Sequence, residues 1–278
     1  YRMPNIFPTP ESKNLVICIT GLGSKTPFSV LMSNCIPDLS VVPTGQCFPL
    51  YWYEEDPTKA QRQLFDANND DRYTRRDGIS DKALAMFRDR YRDYSITKEE
   101  ISYYIYGVLN TQEYREKFGD DVKKVLARVP FAKDFRTFSE AGRKLGDLHV
   151  NYENVKAWPV KLIETPLSPG TKDKMHRVEK MRIIESNGEK IIRYNENITI
   201  TEIPSEAWEY AVNGKSALEW IVERYQDSTD KDSGLRNDCN AWGIEHGNPR
   251  YVLDLIESVI RVSVESVKIM KSLPEVGI

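Results

Sequence analysis

The chain of 278 residues, with 40% hydrophobic and 29% charged residues, is long enough to bury a core as one large or two modest domains. No apolar run approaches the roughly 20 residues that cross a bilayer, which argues against a membrane protein. The net charge of −3 and pI near 5.8 lack the basic surplus of a free-standing nucleic-acid-binding protein, so any DNA contact must come from a local patch.

The cysteine and histidine pattern predicts reduced thiols in a cytoplasmic protein. Four cysteines lie far apart without a Cys-x-x-Cys pair, and three histidines share no helix face. Cys239 and His246 are too few ligands for zinc, so we expect no metal site.

The opening section predicts short strands separated by turn residues. We interpret the start at Tyr1 as a cut inside a longer protein, because the chain enters proline-punctuated sequence directly. The predicted strands are "NLVICIT", "FSVLM", "LSVVP" and "CFPLYWY". The charged stretch 54–80 follows as a linker or exposed connection.

From Ser80 the hydrophobic period becomes helical. Thr97 and Glu100 stand at the spacing of a capping box, and the residues after them follow one buried helix face. Further helices are predicted at 81–94, 111–127 and 133–150.

The last third combines a hairpin with a long helix. Two β-rich runs flank Asn187 and Gly188, the pair best suited to the positive φ angles of a tight hairpin turn. Pro204 and Pro249 stand where the first turn of a helix accepts proline. The final helix carries an apolar stripe formed by Leu253, Ile256, Ile260, Val264 and Val267. The fold class is therefore α+β, with a β-rich N-terminal section, a helical cluster, a β-hairpin segment and a long C-terminal helix.

The stretch "GLGSKT" after the first strand resembles a phosphate loop without meeting its requirements. Ser24 precedes Lys25 where a Walker loop needs glycine, and Thr26 stands where a dinucleotide loop needs its third glycine. We interpret the stretch as a glycine turn between strands.

Two other short motifs also have simpler explanations. "NPRY" at 248–251 resembles the loop of amino-methyltransferases, but Asn248 and Pro249 also fit the start of the long helix. Glu11 and Lys13 have nuclease spacing without the upstream aspartate. We therefore expect no catalytic residues in this chain.

A local basic surplus between Thr171 and Arg182 leads into the hairpin. Such a patch can hold the phosphates of a duplex, while nearby amides reach base edges. The candidate DNA-binding residues are Lys172, Lys174, Arg177, Lys180, Arg182, Asn187 and Asn195. The alternative is a solvated strand and loop face. A second basic group, formed by Lys133, Arg136, Arg143 and Lys144, is diluted by acidic neighbours.

Long strings of the sequence carry a family resemblance. Residues 95–153, "AVNGKSALEWIVERYQ" at 211–226 and "HGNPRYVLDLIESVI" at 246–260 resemble the C-terminal specificity region of Type ISP restriction-modification enzymes. The opening "VICITGLGSKTPFSVLM" is similar to the segment that closes their methyltransferase domain. The resemblance implies residues 1–60 as the tail or junction of that domain and 61–278 as a target recognition domain.

The resemblance also implies a fragment of a larger bacterial polypeptide. Its other domains would be a nuclease, a helicase-like translocase and an adenine methyltransferase, which use ATP, Mg²⁺ and S-adenosylmethionine. This chain would need no cofactor and would direct methylation and cleavage by binding double-stranded DNA. The resemblance supplies no short DNA-reading motif, so the basic patch rests on the residues alone. The alternatives are a scaffold that docks the methyltransferase and helicase domains without reading sequence, and a free-standing enzyme.

Overall fold

The computed structural model describes residues 3–38, 41–56, 72–165, 175–186 and 188–277. The chain forms two structural units, the first from residues 1–150 and 269–278 and the second from 151–268. The first unit contains residues from both sides of position 60. The domain boundary predicted at residue 60 refers to the domains of a longer polypeptide. The division of this chain into two units does not test it, so it stays a prediction.

The first unit begins with a three-stranded antiparallel sheet in the order β2-β1-β3. Its strands are β1 Val16–Ile19, β2 Val30–Ser33 and β3 Gln46–Pro49. The central strand β1 is buried at every position, because Ile17 and Ile19 join one hydrophobic cluster while Val16 and Cys18 join another. These strands confirm the β-rich opening of the chain.

Two details of this opening differ from the sequence prediction. The predicted strand "CFPLYWY" is two strands, β3 and β4 Tyr51–Glu55, which separate at Leu50. The split follows from the backbone of Leu50, which bonds outside both ladders: its N–H donates to Leu15 and its carbonyl accepts from Gly78. Within "LSVVP", residues 39 and 40 lie outside the described part, and 41–45 form a turn. Strand β4 pairs with β5 Tyr73–Asp77.

The glycine stretch is a turn between β1 and β2, as its sequence predicts. A Cβ on Gly21 would lie 1.7 Å from the carbonyl oxygen of Thr44, so only glycine fits there. Gly23 has a φ of 77° and its N–H donates to the carbonyl of Lys123 at 2.8 Å. No helix follows this turn, so a phosphate would lack the helix N-terminus that both loop types use.

The helical cluster consists of α1 Asp81–Tyr91, α2 Lys98–Asn110, α3 Gln112–Phe118 and α4 Phe135–Val150. Both halves of the capping box between Thr97 and Glu100 are formed. Helix α3 is shorter than predicted because Gly119 and two aspartates follow it, and these residues have low helix propensity. Helices α2 and α4 cross closely at Gly107 and Gly142.

The second unit is built on a four-stranded antiparallel sheet in the order β6-β9-β8-β7. Its strands are β6 Lys161–Glu164, β7 Arg182–Ser186, β8 Glu189–Arg193 and β9 Ile198–Thr201. The predicted hairpin is β7 and β8, and Gly188 has the expected positive φ of 80°. Asn187 lies outside the described residues.

Helices cover one face of this sheet. The helices that join its hydrophobic cluster are α5 Glu206–Glu209, α6 Ala217–Arg224 and α8 Tyr251–Ser272. The short helix α7 Ala241–Glu245 precedes α8 in the chain. Two minor hairpins pair β10 Ala211–Val212 with β11 Lys215–Ser216 and β12 Ser228–Thr229 with β13 Arg236–Asn237. The predicted apolar stripe of α8 is buried along its whole length.

These elements confirm the α+β class. The side chain of Asn248 accepts from the N–H of Arg250 just before α8, which agrees with a helix start rather than a methyltransferase loop. In the described part of the chain, no helix combines the length and apolar character needed to cross a membrane.

Candidate nucleic-acid interface

The predicted basic patch lies in the second unit, at the start of β7. Arg177, Lys180, Arg182 and Asn195 are described, whereas Lys172, Lys174 and Asn187 lie outside the described residues. The structure gives the four described side chains very different surroundings.

Arg177 is an internal ion-pair partner. Its Nη2 atom donates to Asp227 at 2.9 Å and to Asp238 at 2.7 Å, and Arg236 shares Asp227. The Arg177 bond holds the pKa of Asp238 at about 2, well below its usual range. Two arginines and two aspartates cancel locally, so Arg177 links its loop to the β12–β13 hairpin without adding net positive charge.

Asn195 ties together the turn between β8 and β9. Its amide donates to the carbonyls of Met175 at 2.9 Å and Arg177 at 3.0 Å. Its side-chain oxygen accepts from the N–H groups of Asn197 at 2.9 Å and Ile198 at 2.8 Å. All four bonds are made in a buried position, so base contact by Asn195 would require breaking part of this turn. Its predicted role in DNA binding stays a prediction.

The pleat of the four-stranded sheet separates an apolar inner face from a charged outer face. One row across the strands consists of Leu162, Ile200, Ile192 and Ile183, which pack against the helices. The next row, facing the other way, consists of Ile163, Thr199, Arg193 and Arg182. We call this second set the outer row. Successive strands lie about 4.8 Å apart, so the outer row spans about 14 Å.

Arg182 and Arg193 stand directly opposite each other in the outer row. Both side chains are exposed, and neither has an ion pair or hydrogen bond with any residue that the structure describes. Directly opposed like charges destabilise an antiparallel pair. An anion placed between two guanidinium groups would remove that cost and accept several hydrogen bonds.

No acidic side chain in the described part of the chain forms an ion pair with either arginine. Glu189 shares the outer face, but it lies four residues along β8 from Arg193, or about 13 Å away. Lys161 on β6 already pairs with Glu202 at 3.2 Å. Lys180 is exposed two residues before Arg182 and adds a further cation. Glu179 and Glu196 are exposed near the same end of the hairpin, so Lys180, Arg182 and Arg193 leave a net surplus of one positive charge there.

Arg193 is the site residue that the sequence analysis did not identify. The predicted turn at 187 and 188 pairs positions symmetrically about it, and this symmetry sets Arg182 opposite Arg193. The hairpin pattern therefore indicates this pair in the sequence, whereas the clustering of basic residues along the chain does not.

The second basic group belongs to the first unit, where its two arginines are neutralised. Arg136 pairs with Asp93 at 2.5 Å and with Glu100. Arg143 pairs with Glu99 at 3.0 Å and lies over the ring of Tyr103 at 4.2 Å. This pattern fits the surface-helix interpretation of these residues.

No group of three or more His, Cys, Asp or Glu side chains in the described ranges is arranged to bind an ion. A cavity of about 360 Å³ in the first unit is lined mostly by apolar side chains, including Trp52, Ile105 and Leu109. Among the described residues, the arginine pair is the arrangement best suited to bind a ligand.

Comparison with known proteins gives a consistent result. The family model of the Type ISP C-terminal specificity domain matches residues 1–255. No curated protein matches the chain.

Three solved structures are similar to 99% of this chain. A nuclease-deletion mutant of the Type ISP restriction-modification enzyme LlaGI, in complex with a DNA substrate mimic, shows 35% identity and a TM-score of 0.77. The ATP-dependent Type ISP enzyme LlaBIII bound to DNA shows 31% identity and a TM-score of 0.83. The DrdV–DNA complex shows 31% identity and a TM-score of 0.80. This chain covers 22%, 17% and 26% of those chains, respectively.

Proposed function

The chain belongs to the family of Type ISP C-terminal specificity domains, and from this membership we propose that it recognises a short target sequence in double-stranded DNA. One observation carries the proposal: similar structures that match 99% of the chain were obtained with DNA or a DNA mimic bound. The exposed, unneutralised arginine pair supplies a surface suited to a phosphate backbone.

The longer polypeptide would perform the chemistry. We propose that its other domains cleave, translocate and methylate DNA, with ATP, Mg²⁺ and S-adenosylmethionine bound there. This chain would be non-catalytic and would hold the duplex while the methyltransferase domain acts on an adenine flipped out of the stack. Its partners would be the duplex and the methyltransferase and helicase domains of the same polypeptide.

The outer row suggests how the duplex is held. Arg182 and Arg193 would contact phosphates from the β7 and β8 end, and Lys180 would extend that contact. Phosphate contacts fix register and orientation, whereas base edges carry the sequence information. Thr199 and Ile163, farther along the row, offer a hydroxyl and an exposed apolar side chain for base edges.

The residues of the predicted basic patch and its nearby amides have two roles in this proposal. Lys172 and Lys174 remain candidate phosphate contacts, and Asn187 remains a candidate for base contact at the hairpin turn. Arg177 and Asn195 contribute mainly by holding the loop before β7, since their hydrogen bonds are made within the protein.

The test is enrichment of a randomised duplex pool on the full chain of 278 residues, at low and at moderate salt. We expect a short consensus that survives the higher salt, because base contacts persist when phosphate contacts weaken. Retention that disappears at moderate salt without a consensus would contradict sequence recognition by this chain. It would favour the rival function, a scaffold that docks the neighbouring domains.

A further inference from the structure

Two cysteines face each other across adjacent strands in the first unit. Cys18 on β1 and Cys47 on β3 are directly paired in the antiparallel register, and their Sγ atoms lie 3.7 Å apart. The other cysteines offer no comparable pair, since Cys35 is exposed on a loop after β2 and Cys239 lies in the second unit.

The register of the two strands places the Cα atoms of Cys18 and Cys47 within the range of a disulfide. Directly opposed residues of an antiparallel pair have Cα atoms about 4.5 or 5.5 Å apart, depending on the type of pair. A disulfide accepts Cα separations of roughly 4.4–6.8 Å, so either type of pair is suitable. The sulfur atoms are in van der Waals contact at 3.7 Å, so bonding requires side-chain rotation and a small approach of the two strands.

The two thiols have complementary surroundings. Cys18 is fully buried in a cluster with Ile6, Phe7 and Val42, whereas Cys47 is half-buried and lines the apolar cavity next to Trp52. The thiol of Cys18 can donate to Cys47, and this bond lowers the pKa of Cys47 to about 7. The same bond, together with burial, raises the pKa of Cys18. Cys47 is therefore the nucleophile and Cys18 the protected partner.

We propose that Cys18 and Cys47 are a dithiol redox site that a peroxide converts into a cross-strand disulfide. The Cys47 thiolate attacks one peroxide oxygen, the O–O bond breaks, and Cys47 becomes a sulfenic acid as the departing hydroxide takes a proton to form water. The Cys18 sulfur then attacks the Cys47 sulfur, which forms the S–S bond and breaks the S–O bond. The thiol proton leaves with the hydroxide as a second water. Two thiols are oxidised by two electrons and one peroxide is reduced.

The disulfide would tie an edge strand to the centre of its sheet. In the order β2-β1-β3, β3 has only β1 as its partner among the described strands. The bond would also close the stretch from residue 18 to 47, which contains the glycine turn and β2. Closing a loop of this size restricts the unfolded chain, so oxidation should raise the thermal midpoint by roughly 5–10 °C.

The experiment uses the full chain with Cys35→Ser and Cys239→Ser, which leaves only the pair. Hydrogen peroxide should remove the mass of two hydrogen atoms, and peptide mapping should find residue 18 linked to residue 47. Dithiothreitol should reverse both the link and the rise in thermal midpoint. A matched chain that also carries Cys47→Ser should show neither change.

Two outcomes would overturn the proposal. One is oxidation of Cys47 to sulfinic acid without a link to Cys18. The other is absence of reaction in the folded chain under conditions that oxidise the same chain in urea. The unsubstituted chain, mapped in parallel, guards against an effect of the serine substitutions, because the same 18–47 link must appear there.

Discussion

Replacing the opposed arginines should weaken DNA binding while strengthening the fold. Arg182→Gln and Arg193→Gln together remove two positive charges and retain long polar side chains. Both residues are exposed and have no partner in the described part of the chain, so no internal bond is lost. If each contacts one phosphate, the slope of log K against log salt should fall by about 0.9 for each.

The expected magnitudes follow from the same geometry. A fourfold rise in salt would weaken binding of the unsubstituted chain by about twelvefold more than binding of the double variant, since the slopes differ by about 1.8. Two unit charges at the separation of directly opposed Cβ atoms, about 5 Å, repel each other in water by about 0.8 kcal/mol. Relief of that repulsion should raise the free energy of unfolding by roughly 0.2–1 kcal/mol.

Anisotropy of a labelled duplex across a salt series would measure the slope, and urea unfolding without DNA would measure stability. Lys82→Gln with Lys124→Gln removes the same charge from exposed positions of the first unit and serves as the control. A folded double variant that keeps the full slope would contradict phosphate contact by these arginines. Equal loss of binding by control and variant would contradict it as well. A drop in stability would show that the arginines have structural partners after all.

Three further predictions concern the framework of the two units. Burial lowers the pKa of His149 to about 3, so the folded state binds fewer protons than the unfolded state below pH 6.5. The free energy of unfolding should therefore fall by about 1.6 kcal/mol between pH 6.5 and pH 5 from this group alone, and His149→Gln should flatten that slope in urea titrations at each pH. Gly142→Ala would place a Cβ 1.9 Å from the carbonyl oxygen of Tyr103 and should cost about 1–3 kcal/mol or prevent folding, whereas Glu140→Ala on the exposed side of α4 should be near neutral by thermal melting. Asn195→Ala removes four hydrogen bonds and should cost about 2–4 kcal/mol, while Asn197→Ala should cost far less in the same assay because the described bonds of Asn197 are made by its backbone. An Asn195→Ala chain of unchanged stability and lost consensus would instead support base contact by Asn195.

The parts of the fold that could be predicted are those set by local sequence. The capping box at Thr97 and Glu100, the hairpin around Gly188 and the stripe of α8 all depend on residues a few positions apart. The division into two units could not be predicted in this way. Residues 269–278 join residues 1–150, and this association depends on contacts between distant parts of the chain, such as Glu113 with the N–H of Val276.

The same distinction explains the outcome for the candidate site. The sequence places Arg177 in a basic run, but its acidic partners are 50 and 61 residues away. Asn195 likewise stands near the hairpin, where a free amide was expected, yet its partners come from the strand turn and from the loop at 175–177. Local charge counting therefore overestimates the positive charge available before β7, and it overlooks Arg193 beyond the turn.

The arginine pair affects stability and the proposed function in opposite ways. The opposed charges destabilise the hairpin, and the same charges favour binding of a phosphate. On the inner face, each hairpin rule is obeyed: Ile183 and Ile192 pair and are covered by helices. One residue away on the outer face, two like charges oppose each other without compensation from the described residues. A face whose only role was to meet water would gain stability from an opposite-charge pair at these positions. Residues that break a local rule are expected where a binding partner supplies the missing contact, and the chemistry that satisfies two guanidinium groups is that of a phosphate.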